Sequence, residues 1–344
     1  MWAARPRWGL FSACSLIQGY CTVVQYRSAD MAPLEPAARI CCLDLDTFFV
    51  SVERLLDPAL LHRPVVLSGA PGHHGVVLAA SHEAQRRGIH AGMSLAEARS
   101  RAPGAAFLPS RREIYGAYAR RVRALLKGYT PVVRAASVNE FFLDLRGREL
   151  LWRDPEDLDG ELAIARVVRR ICQDIESQLG LSASAGVGTT RAVAKIASSQ
   201  GEPTGVRVIP PGEEYSFVAP LPISTFPGIG PVAQARLQEA GILTLGQLME
   251  LGSGPLRARF GSLSRSVRRD LDGRRGLCLG RARPVLQEHD DPLWGTTHSI
   301  SHERTLHTQT SDRRRLVDQL RSLAEWVCCR ARWRDVHART ITLK

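Results

Sequence analysis

The sequence predicts an α+β fold. Helix-period and strand-period segments mix without a strict βαβ repeat, and from Val208 the texture shifts to turn-rich and then helical segments. With 344 residues, 44% of them hydrophobic, the chain can fill roughly two to four domain cores.

The elements run in order along the chain. RICCLDLDTFFV alternates and then turns wholly apolar, as a buried strand does, and SVERLLDPALL has helical spacing interrupted by a proline. PVVLSGAPGHHGVVLAAS reads as two strands around a Pro/Gly/His turn. HEAQRRGIHAG and SLAEARSRAPG read as short helices closed by glycine or Pro-Gly. Ile114 to Tyr129 spells a longer basic helix, followed by strands over 131–146. Leu158 to Leu179 is a helix, LSASAGVG a strand and TRAVAKIASSQ another helix. VIPPGEEYSFVAPLPISTFPGIGP is rich in turn residues, with helical segments to about Asp272. GRRGLCLGRARPVLQEHDDP suits an interdomain connector. THSISHERTL reads as a strand, Ser311 to Arg334 as a basic amphipathic helix and RTITLK as the start of a strand.

The net charge of +12 points to an anionic partner such as nucleic acid. Nearly all of that charge is arginine, with lysine only at Lys127, Lys195 and Lys344. None of the eight cysteines is spaced as CxxC, so neither a zinc site nor a disulfide framework is expected. A reduced, cytoplasmic protein is the plain reading, and no apolar run is long enough for a membrane span. Residues 1–38 read as an extension unlike the rest of the chain. Either Met31 is the functional start and the segment before it is over-extended or disordered, or the Arg-containing, acid-poor leader is a transit peptide; a secretory signal would need a cleaner apolar core.

Chemistry concentrates in two stretches. LDLD sets Asp44 and Asp46 on one face of a strand, where two carboxylates repel unless a cation lies between them or one meets water. ASVNEFFLDL carries Glu140 in a second apolar strand, beside the amide of Asn139. Carboxylates gathered from two strands suit divalent-metal phosphoryl transfer, and they equally suit solvated strand ends.

The ordered run LDLDTFFVSVE, GVVLAASHEAQRRGI, LPSRREIYGAYARRVRALLKGYTP and SVNEFFLDL resembles the Y-family of translesion DNA polymerases, in its DNA polymerase IV-like branch. SASAGVGTTRAVAKIASSQGEPTGVRVI and FPGIGPVAQARLQEAGILTLGQL continue the match in order, over about residues 39 to 344. The resemblance implies a right hand. Its palm would span 39–48 and 112–206, its fingers 49–111 and its helix-hairpin-helix thumb 207–277. A linker at 278–292 and a partial little finger at 293–344 would complete it, without the family's clamp-binding peptide.

The resemblance also implies roles. Asp44 and the Leu45 carbonyl would hold Mg²⁺ in a two-metal site, with Glu140 on the catalytic metal. Amides at Thr47 and Phe48 would meet a deoxynucleoside triphosphate, Phe49 would exclude a ribose 2′-OH, and Lys195 would neutralise phosphate charge. Three positions depart from the family. Asn139 stands where SxDE has a carboxylate, keeping one carbonyl oxygen, and the Tyr and Arg of YEAR become His82 and Gln85, with Arg86 a partial substitute. Gly228, Ile229 and Gly230 of the hairpin, and His298, Ser299, Ser301 and Arg304 of THSISHERTL, would contact primer-template DNA.

These residues support three functional readings: a translesion DNA polymerase with an impaired site, a catalytically silent DNA-binding or scaffold relative that recruits other repair proteins, or a non-functional gene remnant. If Met31 is the functional start, removing residues 1–30 will leave thermal stability and DNA binding unchanged. A lowered melting temperature in the shortened chain would show that the extension packs on the body.

Overall fold

A computed structural model describes residues 16–17, 20–21, 38–69, 75–148, 151, 160–250, 299–304, 306, 310–333 and 335–343. The chain divides into two units, Met1–Pro36 and Ala37–Lys344. In the first, β1 (Leu16–Ile17) pairs antiparallel with β2 (Tyr20–Cys21); the rest of the expected extension, Ala38 apart, lies outside the described residues.

The second unit is built around β3 (Ile40–Leu45), where ICCLDL supplies apolar residues to both faces of a central strand. The apolar run does not continue as strand. Asp46 and Thr47 turn, Thr47 adopts a left-handed backbone (φ 43°), and Phe48–Leu56 becomes helix α1. As a helix the run buries Phe48, Val50, Val52 and Glu53.

A smaller sheet comes next. Its middle strand is β4 (Val65–Ser68), flanked by antiparallel β5 (Val77–Ala80) and parallel β6 (Ala106–Pro109). Ser81 caps α2 (His82–Gln85) and Ser94 caps α3 (Leu95–Arg101), each accepting from the amide three residues on. Strand β6 carries little signal in the sequence, because AFLP is short, half-buried and contains proline.

Helix α4 (Arg112–Lys127) leads to β7 (Val133–Ala135) and β8 (Glu140–Asp144). Helix α5 (Gly160–Leu179), β9 (Ala183–Gly188), α6 (Arg191–Gly201) and β10 (Val206–Val208) complete this part. The five-stranded sheet has the order β10-β9-β3-β8-β7, antiparallel except for the β9–β10 edge.

Alternation sorts its two faces. Leu43, Leu45, Phe141, Leu143, Ala185 and Val187 pack under α4 and α5 through Tyr115, Val122, Ile164 and Ile171. Ile40, Cys42 and Phe142 meet Ala194 of α6 on the other face. By alternation, the ends of β3 and β8 deliver Asp44 and Glu140 to this second face.

At Gly186, helix α6 approaches the sheet backbone to backbone. A Cβ at Gly186 would lie 2.1 Å from Ser198 N and 2.2 Å from Ala194 O, and one at Gly188 would lie 2.6 Å from Val193 Cγ1.

Beyond β10, α7 (Glu214–Val218), α8 (Pro231–Glu239) and α9 (Leu245–Glu250) enclose Val218, Phe226, Ile229, Leu237 and Leu248. The helical stretch expected to Asp272, and the connector after it, lie outside the described residues. Helix α10 (Arg313–Trp333) matches the basic helix expected there. Residues 299–304 were expected as a strand but are not one. Among the described residues no neighbouring strand offers them a ladder, and a strand exists only through those bonds. They run beside α10 instead: Arg304 donates to Gln319 (2.9 Å), Arg330 donates to the Ser301 carbonyl (2.9 Å), and His302 stacks on Trp326. Residues 339–343 likewise form no strand. No helix among the described residues is long and apolar enough to cross a membrane.

Gly186→Ala will force the α6 and β9 backbones apart and cost ~1–3 kcal/mol or more, as overpacking does. A lowered urea midpoint at unchanged m-value will report it. Gly104→Ala, with no atom within 4 Å of its Cβ, is the control and will stay near wild type.

Candidate active site

The β3–β8 register sets Asp44 directly opposite Glu140. Opposed residues of an antiparallel pair lie ~4.5–5.5 Å apart at Cα, so two carboxylates share one spot. Each has a local partner. Lys195, one turn into α6, forms an ion pair with Glu140, and Asn139 Nδ2 donates to Asp44 Oδ1 (2.7 Å).

The orientation of the Asn139 amide is decided by Ser137. Its Oγ accepts from the backbone amides of Asn139 (3.2 Å) and Glu140 (3.1 Å), which uses both lone pairs. The Ser137 hydroxyl proton is thereby left for Asn139 Oδ1, at 2.7 Å. The one carbonyl oxygen that Asn139 keeps is turned away from Asp44, and the amide presents N–H instead. Burial pushes the Asp44 carboxyl up to about 7; Glu140 and Glu202 add to the rise, while Lys195 and the Asn139 hydrogen bond oppose it.

Asp46 does not share the strand face with Asp44. It sits in the turn, nearly buried, and accepts from Ser184 Oγ (2.7 Å) and the Thr204 amide (3.1 Å). Those bonds tie the end of β3 to β9 and to the loop after α6. Glu202, at the C-terminal end of α6, was missed. Burial, then Asp46, raises its pKa, and His82 and Lys195 oppose the rise. Its sequence signal was available: Glu202 stands two helical turns beyond Lys195, hence on the same face.

Helix α1 begins beside these groups. Its N-cap Thr47 makes no side-chain cap, so the amides of Phe48, Phe49 and Val50 are free for an anion. The two phenylalanines diverge. Phe48 is core, whereas Phe49 is half-buried and rests edge-on against Tyr115 at 5.0 Å. Tyr115 is held in turn by the buried carboxylate of Glu53, which accepts its hydroxyl (2.5 Å) and pairs with Arg111. Burial and that hydrogen bond push the Tyr115 phenol up to about 12. This prop was also missed; its signal was a glutamate at a helical core spacing from Phe49.

The triphosphate and DNA candidates are spread more widely. His82 opens α2 and is exposed; Gln85 Nε2 donates back to the Ala80 carbonyl (3.0 Å); Arg86 is the exposed C-cap. In the hairpin, Gly228 has φ 101°, a backbone that only glycine adopts freely, and Gly230 is the N-cap of α8. Both have open space where a Cβ would stand. Ile229 is buried, and its amide donates to the Phe226 carbonyl (3.1 Å), so it anchors the turn from within. Ser299, Ser301 and Arg304 are exposed, and His298 lies outside the described residues.

The donor set has a definite capacity for metal. Asp44 Oδ2, Glu140 and the Leu45 carbonyl are hard oxygen groups suited to a divalent cation. Among the described residues no three His, Cys, Asp or Glu side chains form a metal-binding group. Two dications ~4 Å apart repel by roughly 17 kcal/mol at an effective dielectric of about 20, so two carboxylates answered by one ammonium are a thin field for a pair.

The sequence model of the impB/mucB/samB family matches residues 43–199, that of its HHH motif 211–242 and that of its C-terminal domain 297–344. DNA polymerase IV of Dehalococcoides mccartyi (strain CBDB1) is 34% identical over 306 residues, covering 89% of this chain and 73% of that one. The chain belongs to the impB/mucB/samB family, the Y-family DNA polymerases. DNA polymerase IV of Alkalilimnicola ehrlichii is also 34% identical, over 89% of this chain and 80% of its own. DinB from Sulfolobus solfataricus superposes with a TM-score of 0.62 at 30% identity, over 69% of this chain and 67% of that one. The Y-family chimera Dbh-Dpo4(243-245)-Dbh gives 0.71 at 26% identity, over 84% and 79%. These matches place the α+β architecture and the hairpin of this Y-family chain in a known polymerase fold.

Tyr115→Phe removes the hydroxyl from a buried carboxylate and will cost ~1.5–3 kcal/mol. Chemical denaturation will show it, and near-ultraviolet circular dichroism will show the loosened aromatic contact with Phe49.

Proposed function

We propose that this chain is a template-directed DNA polymerase of DNA damage tolerance, with a slowed chemical step. The carrying observation is the meeting of Asp44, Glu140 and Lys195 with the uncapped start of α1. Membership of the Y-family and similarity to a structure titled an insertion ternary complex support the substrates, primer-template DNA and a deoxynucleoside triphosphate.

In this reading the palm comprises 39–48 and 112–206, the fingers 49–111, the thumb 207–277 and a partial little finger 293–344. Asp44, Glu140 and the Leu45 carbonyl hold a divalent cation, Mg²⁺ by hard-ligand chemistry. That cation supplies Lewis-acid polarisation of phosphoryl oxygens. Lys195 leaves Glu140 to meet the triphosphate, whose oxygens also accept from the amides at Thr47 and Phe48. Phe49, propped by Tyr115, walls the sugar and excludes a 2′-OH. His82, Gln85 and Arg86 face the triphosphate weakly, because Gln85 is folded onto its own turn. The hairpin amides around Gly228 and Gly230 grip backbone phosphate without reading sequence, and Ser299, Ser301 and Arg304, with His298, add phosphate contacts.

A second reading has its own observation. The Asn139–Asp44 hydrogen bond puts a donor where a carboxylate would add charge, which favours a DNA-binding relative without turnover.

Primer extension decides between them. The polymerase reading expects slow templated extension with Mg²⁺ or Mn²⁺, abolished by Glu140→Ala. Binding without extension under either ion supports the silent relative. In both readings affinity for primer-template falls steeply with salt as counterions leave the phosphates. Replacing Gly228 and Gly230 by leucine will weaken it, and unchanged binding would remove the hairpin from the interface.

A further inference from the structure

We propose that this site holds a single divalent cation, with Asn139 and Lys195 standing where a second would be needed. The inference deepens the proposed function and rests on it.

Hydrogen-bond capacity fixes the amide. In its ionised, metal-binding form Asp44 only accepts, so the group 2.7 Å from its Oδ1 is then a donor, and Asn139 supplies its Nδ2–H there. A flip of the amide would set two acceptors against each other. It would also leave the Ser137 proton unplaced, since Ser137 Oγ already accepts from two backbone amides. The amide is therefore locked as a donor, and one oxygen of Asp44 is taken. Opposite it, Lys195 puts a positive charge on Glu140.

Asp44 and Glu140, facing one ammonium and one amide donor, retain a single net negative charge between them; Glu202 bears on Asp44 from the end of α6 and stands outside the β3–β8 pair. Asp44 Oδ2 and the second Glu140 oxygen belong to directly opposed residues of β3 and β8, which offers a seat for one ion. Beyond what a triphosphate brings, a second ion would need a further anionic oxygen from the protein between β3 and β8. The turn at 137–139 provides only an N–H in that place. Asn139 thus acts as a positioning residue: it orients Asp44 and keeps the second seat closed.

The test uses the full chain with a primer-template whose primer ends in a dideoxynucleotide, a non-hydrolysable deoxynucleoside triphosphate analogue, and Mn²⁺. Electron paramagnetic resonance reads both the number of bound ions and their coupling. The wild-type complex is expected to bind one Mn²⁺ with an uncoupled spectrum. Asn139→Asp is expected to bind two and to show the spin-coupled spectrum of neighbouring ions. Lys195→Met is expected to keep one ion, bound more tightly, because Glu140 loses its competing partner. A coupled pair in the wild type overturns the inference, as does an Asn139→Asp complex, verified as folded, that still holds one ion. DNA and nucleotide binding, measured by anisotropy in the same samples, fail or hold independently. Their loss with one ion retained would overturn the polymerase reading and leave the ion count standing.

Discussion

The bare contact between α6 and β9 is the constraint on which the rest depends. Gly186 has no side chain, so the helix backbone rests directly on the sheet. That closeness is what lets Lys195, a residue of the helix, reach Glu140, a residue of the sheet. It also fixes the loop after α6, where the Thr204 amide and Ser184 hydroxyl both close on Asp46. One missing methyl group therefore sets the depth of the carboxylate-bearing floor, the reach of the Lys195 ammonium and the anchoring of the turn that starts α1.

That turn carries a second constraint. Thr47 is β-branched yet held at positive φ, a conformation that costs ~1–3 kcal/mol and persists only where surroundings over-determine it. Here they do, through Asp46 on one side and the Glu53–Arg111–Tyr115 cluster on the other. The same cluster couples α1 to α4 and thereby gives Phe49 a rigid backing. The backing of Phe49 thus depends on a buried carboxylate one helical turn away.

Legibility in the sequence tracked the length scale of each signal. Helices α4, α5, α6 and α10 and strands β3, β8 and β9 could be read because periodicity accumulates over a strand or several turns. The helical start at Phe48 could not, because TFFV is as apolar as a strand and the left-handed Thr47 leaves no residue signature. Strands β6 and β10 are too short for alternation to register. Residues 299–304 alternate properly but have no described neighbour to pair with, and pairing is a tertiary fact. In the site, the residue types of Asp44, Glu140 and Lys195 could be read, and the fold brings the three together. The direction of the Asn139 amide could not be read, since it is decided by the two lone pairs of Ser137. Asp46 was misread for a related reason: its two partners lie 138 and 158 positions away.

The clamp on Asn139 has a consequence on another timescale. Asparagine side chains convert slowly to aspartate when the next backbone nitrogen attacks the side-chain carbonyl carbon and ammonia departs. Here the attacking nitrogen belongs to Glu140, whose N–H is held by Ser137 Oγ at 3.1 Å, and the amide it must approach is pinned at both ends. The approach needs a backbone rotation that the β3–β8 ladder resists. The protein is thereby shielded from acquiring, through chemical ageing alone, the very carboxylate that its gene does not encode.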